Sequence, residues 1–80
     1  MVILWCAAPV RITYDRSADA AYVAFRPIDP GEAVENLVIE RPGLGTIVLD
    51  SNAAGTVRGV EIIGAEALAP PELLTDAEQL

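Results

Sequence analysis

The residue types and spacings that chemistry would use fall in two stretches. Tyr14, Asp15, Asp19 and Tyr22 lie within YDRSADAAY, and Asp50 and Glu61 bracket DSNAAGTVRGVE. Paired carboxylates do acid–base work when a pocket raises one pKa. The second stretch also follows most of a calcium-loop pattern. Asp50, Asn52, Gly55 and Glu61 fall at its positions, and Val57 fills its inward apolar slot. Two residues oppose that reading: Ala54 replaces a ligand, and Arg58 brings positive charge. Calcium takes roughly six to eight oxygens, and the pattern needs helical flanks where this chain reads as strand. No calcium binding is expected. The stretch reads as a hairpin turn in which Asp50 and Asn52 bond the backbone and Gly55 takes a positive φ.

The rest of the catalytic inventory is thin. The chain has no His, so Ser–His and Cys–His nucleophile pairs are absent. One Cys is too few for a usual zinc site. No Gly-rich phosphate loop follows a strand and opens a helix. The sequence therefore calls for no catalytic residue, metal or cofactor. Only Asp15, Asp19, Asp50 and Glu61 remain for a carboxylate-based activity.

The elements that must position these residues are mostly strands. VRITYD, 10–15, alternates apolar and polar residues, and AAYVAFR, 20–26, is also strand-like. R-S-A-D between them is a tight turn, where Asp15 and Asp19 are favoured because their side chains bond nearby backbone N–H groups. An Arg16–Asp19 pair is possible across it. The hairpin register is arguable. Asp15 faces Ala20, Tyr14 faces Ala21, Ile12 faces Val23 and Val10 faces Phe25. Val10, Ile12, Tyr14, Val23 and Phe25 then share the core face and Tyr22 takes the other. A slip of one residue would mix the faces.

Residues 27–33 read as a loop, and VENLVIE, 34–40, as a third strand with apolar residues for both faces. TIVLD, 46–50, and TVRGVEIIG, 56–64, flank the turn SNAAG, with Gly59 a candidate bulge. Their mutual register is not fixed by pattern. The tail, 69–80, suits a short helix opened by Pro71. The expected fold is mainly β, α+β: one small antiparallel sheet of four to five strands, two hairpins plus a connecting strand, with a C-terminal helix.

Eighty residues make one domain, 1–80: an apolar extension over 1–9, a β region over 10–68 and the helical tail. The extension MVILWCAAP is too short to cross a bilayer and has no leading positive charge, so it reads as a strand stopped at Pro9, and no membrane role is expected. Lone Cys6 forms no internal disulfide and reads as a small buried hydrophobe, which points to the cytoplasm. Thirteen of the apolar residues are Ala, which bury little area. A small domain with so modest a core borrows surface from a partner, so a homodimer is expected. The net charge of −7, with no Lys, disfavours nucleic acid and suits a basic protein partner.

ITYDRSADAAYVAF and IVLDSNAAGTVRGVEIIGA, with a trailing Leu68, resemble the small bacterial family called domain of unknown function 2283. Tyr14, Asp15, Ala18, Asp19, Tyr22, Asp50, Gly55, Gly59, Val60, Glu61 and Ile62 carry the likeness, over roughly residues 10 to 68. The resemblance implies no established activity. Genes of such proteins can lie beside toxin-like genes, so it leaves room for an antitoxin-like role. Three readings follow. The first is a β-rich interaction module, without catalysis, that binds a protein partner. The second is a self-assembling structural domain. The third is a carboxylate enzyme or metal binder using Asp15, Asp19 and Glu61.

Overall fold

The computed structural model describes residues 10–25 and 31–80. The apolar stretch 1–9, Arg26 and the first part of the expected loop lie outside the described residues. Strands β1 (Arg11–Asp15) and β2 (Ala20–Ala24) form the first hairpin. Their ladder runs from Arg11↔Ala24 to Asp15↔Ala20, with Ile12 opposite Val23 and Tyr14 opposite Ala21. This is the register that face-matching demands, because any one-residue slip turns Tyr14 and Ile12 to the opposite face.

The expected second hairpin joins β4 (Gly45–Ser51) to β5 (Val57–Ile63); β3 (Glu35–Arg41) forms a further hairpin with β4, and β5 also pairs with β2. Helices α1 (Ala65–Leu68) and α2 (Pro71–Asp76) follow, then a two-residue strand, β6 (Glu78–Gln79). The sheet order is β3-β4-β5-β2-β1-β6.

Two features differ from the sequence expectation. Among the described residues the sheet has six strands and is mixed, because β6 pairs parallel with β1. The helical tail also stops at Asp76, and a separate turn of helix, α1, precedes it. Both differences have long-range causes. Past buried Ala77, the chain returns to the free edge of β1, where Leu80 N–H donates to the Tyr14 carbonyl at 2.9 Å. Arg11 Nε and Nη2 donate to Glu78 Oε2 at 2.8 and 2.7 Å. Gln79 Nε2 donates to the carbonyls of Leu74 and Ala77. Pro71 does open α2, as its missing N–H predicts. The bulge lies beside Gly59: Asp50 faces Gly59 but Ser51 faces Val57, so Arg58 is the extra residue.

Side chains alternate across a strand, so the register sorts the faces. Ile12, Tyr14, Ala21, Val23, Val60, Ile62, Ile47, Leu49, Leu37 and Ile39 share one face. The helices pack on one end of it. Tyr14, Ala21, Ala65 and Ala77 form the buried cluster there, with Ile12, Ile62 and Leu74 against it. At the other end every residue of β3 is exposed. Among the described residues no large side chain is fully buried. No helix among them is long and apolar enough to cross a membrane.

Candidate functional site

The motif residues resolve into two tyrosine–aspartate pairs, one on each face of the sheet. Tyr14 projects toward the helices and its hydroxyl donates to Asp19 Oδ1 at 3.0 Å. The same oxygen accepts the Glu66 backbone N–H at 3.0 Å. The Asp19 carbonyl accepts the N–H groups of Gly64 and Ala65 at 2.9 and 3.0 Å. Asp19 thus joins the β1–β2 turn to the start of α1. It does so from a left-handed backbone, φ 50°, which Asp tolerates better than most residues. Its carboxylate makes no ion pair with Arg16 among the described residues.

Asp15 has a purely local task. Its Oδ1 accepts from Ser17 N–H at 3.0 Å, Ser17 Oγ at 2.7 Å and Ala18 N–H at 3.4 Å. The Ser17 hydroxyl, followed by the Ala18 amide, stabilises the anion and lowers its pKa. Desolvation moves the Tyr14 phenol the other way, upward, and the bond to Asp19 adds to it.

The second pair lies on the opposite face. Tyr22 Oη donates to Asp50 Oδ2 at 2.8 Å, and Asn36 Nδ2 donates to Asp50 Oδ1. Register explains the meeting: Asn36, Asp50 and Gly59 are successive cross-strand partners, and Tyr22 is the diagonal neighbour of Gly59. The phenol reaches Asp50 only by lying across Gly59. A Cβ there would meet the Tyr22 hydroxyl and stand 2.8 Å from two ring carbons. Burial pushes the Tyr22 phenol up to about 12, with the Asp50 bond and then the charges of Asp50 and Glu61 assisting. Glu61 sits directly opposite Tyr22 in the β2–β5 ladder.

The turn expected at SNAAG forms as predicted around Asn52, whose Oδ1 accepts from Ala54 and Thr56 N–H at 3.0 Å each. Gly55 takes φ 87°. The expectation that Asp50 bonds the turn backbone is corrected: its oxygens serve Tyr22 and Asn36. Sequence reasoning missed Asn36, because its partnership exists only once β3 is registered on β4. It also missed the ion pair of Arg58 Nε with Glu32 Oε2 at 2.9 Å.

No group of three or more His, Cys, Asp or Glu side chains is placed to hold a metal among the described residues. Asp15 and Asp19 are occupied at the hairpin turn, while Asp50 and Glu61 share the opposite face with Tyr22. A cleft of about 740 Å³ opens between the turn and α2, lined by Tyr14, Arg16, Glu66, Pro71, Leu74, Thr75 and Gln79. It includes none of the four motif carboxylates. In this arrangement each phenol anchors an aspartate that holds two elements together.

No curated protein and no solved structure matches the chain. The model of a family described as protein of unknown function, DUF2283, matches residues 11–65. That span runs from the start of β1 to the first residue of α1 and holds both tyrosine–aspartate pairs. Covering more than half of the sequence, the match shows that the chain belongs to the DUF2283 family.

Proposed function

We propose that this protein is a cytoplasmic interaction module that works as a homodimer, has no catalytic activity of its own, and docks a basic protein in an antitoxin-like role. The observation that carries the reading is the uneven cover of the sheet. The helices protect Tyr14, Ala21 and Ile62, whereas on the same face Leu37 and Ile39 are 59 and 39% exposed. Contiguous exposed apolar surface of this kind marks interaction sites in soluble proteins. The motif polar groups support the same reading, since Asp15 and Asp19 each commit one carboxylate oxygen, and Asp50 both, to internal hydrogen bonds. The charge of −7 favours a basic partner.

Sedimentation equilibrium of the full chain over micromolar concentrations tests the homodimer. The expected result is a monomer–dimer equilibrium. A single species at 8.4 kDa throughout would overturn it. The basic partner is tested by affinity capture from the native host at low and moderate salt. Retention of one basic protein, weakened by salt, is expected; a dimer that retains none would leave a self-assembling domain instead.

A further inference from the structure

The proposed homodimer leaves open which surface forms the contact. We propose that β3 is the seam: two copies pair their β3 strands antiparallel about a two-fold axis at Val38, merging two sheets into one. This inference rests on the homodimer reading and specifies its geometry.

The edge of β3, unpaired among the described residues, is the first observation. β3 is terminal in the sheet order and all seven of its residues are exposed. Its hydrogen-bonding direction follows from one residue. Arg41 faces Gly45 in the β3–β4 ladder. A non-hydrogen-bonded pair at that point would need an N–H from residue 42, and Pro42 has none. Arg41 therefore bonds toward β4, and by alternation so do Ile39, Leu37 and Glu35. The ladder has no register shift, so Asn36, Val38 and Glu40 present their N–H and C=O groups outward.

The second observation is self-complementarity. The strand reads E-N-L-V-I-E-R. With the axis at Val38, Val38 meets Val38 of the partner subunit as a hydrogen-bonded pair. Asn36 meets Glu40 of the partner subunit in the same way. Leu37 meets the partner's Ile39 as a close non-hydrogen-bonded pair, apolar on apolar. Glu35 meets the partner's Arg41, opposite in sign. Among the described residues neither Glu35 nor Arg41 has an ion-pair partner within its own chain. Centring on Ile39 instead would set Arg41 against the partner's Leu37, and centring on Leu37 would set Glu35 against the partner's Ile39. Only the Val38 axis matches charge with charge and apolar with apolar.

Exposed edges are usually blunted by charges or Pro in mid-strand. Here the charges flank an apolar centre and carry opposite signs at two-fold-related positions, so they select a register rather than block pairing. The opposite edge of the sheet is β6, only two residues long. It offers no comparable strand for further pairing, so the contact closes as a dimer rather than growing into a fibre.

The test is sedimentation equilibrium of the full chain in moderate salt, for wild type, Val38→Pro, Glu35→Arg, Arg41→Glu and the double variant Glu35→Arg/Arg41→Glu. Val38→Pro removes an outward donor and leaves the β4 ladder intact, so a monomer with an unchanged circular dichroism spectrum is expected. Each single reversal puts like charges together twice per dimer and should weaken association about tenfold. The double variant should return it to the wild-type value. Should Val38→Pro fail to fold, the exposed charge reversals decide. A wild-type dimer whose affinity none of these changes alters would overturn the seam and leave the homodimer standing. A wild-type chain that stays monomeric would overturn both.

Discussion

Tyr22, Asp50 and Gly59 form one device: the phenol needs the missing Cβ to reach the carboxylate. Tyr22→Phe removes a hydrogen bond to an anion on a half-buried face, which should cost about 1–2 kcal/mol in urea unfolding at neutral pH. The pH dependence has a definite sign. The folded pKa, about 12, lies above the unfolded value of 10.0. The Tyr22 contribution is therefore full below pH 10 and is lost as pH rises toward 12. The gap between wild type and Tyr22→Phe should shrink across that window. Gly59→Ala should cost about 2 kcal/mol by displacing the ring. In a Tyr22→Ala background the same change should be nearly neutral, and an equal cost in both backgrounds would refute the contact.

Asp19 acts at the scale of elements, because it couples the first hairpin to α1. Asp19→Ala loses the Tyr14 and Glu66 bonds and places Ala at φ 50°. A cost of about 2–3 kcal/mol is expected from thermal unfolding. Asp19→Asn keeps an acceptor oxygen and tolerates the left-handed backbone, so its cost should be about half of that. The Arg11–Glu78 pair, which ties β6 to β1, is a contrast. Its side chains are 68 and 52% exposed, so Glu78→Gln should change stability by less than about 1 kcal/mol. The tail is held by the backbone bonds of β6 and by buried Ala77 more than by that charge pair.

The whole molecule has a small core displaced to one end of its sheet. Among the described residues Tyr14 is the largest buried one, and its apolar companions are alanines. Such a core leaves little margin over chain entropy, so association should contribute measurably to folding. The thermal midpoint of the wild-type chain should rise with protein concentration across the micromolar range, as mass action requires for a folded dimer in equilibrium with unfolded monomers. A midpoint independent of concentration, measured by circular dichroism, would contradict that coupling. Val38→Pro should also remove the concentration dependence.

The sequence by itself determined strands β1 to β5, the first hairpin and its register. These depend on neighbours: period-two alternation places Ile12 and Tyr14 with Val23 on one face, and Asp15 closes its turn through Ser17 and Ala18. The Asn52 turn and the Pro71 helix start were legible for the same reason. Tertiary structure decided what distant residues do. Nothing local states that β5 lies between β4 and β2, that the tail returns parallel to β1, or that Asn36 and Tyr22 converge on Asp50. Those outcomes depend on which edges remain free once the hairpins form and on which faces must be covered. The aspartates were visible in the sequence as candidates for chemistry. The work of Asp19 and Asp50 as fasteners emerged only when the fold brought each one to a tyrosine.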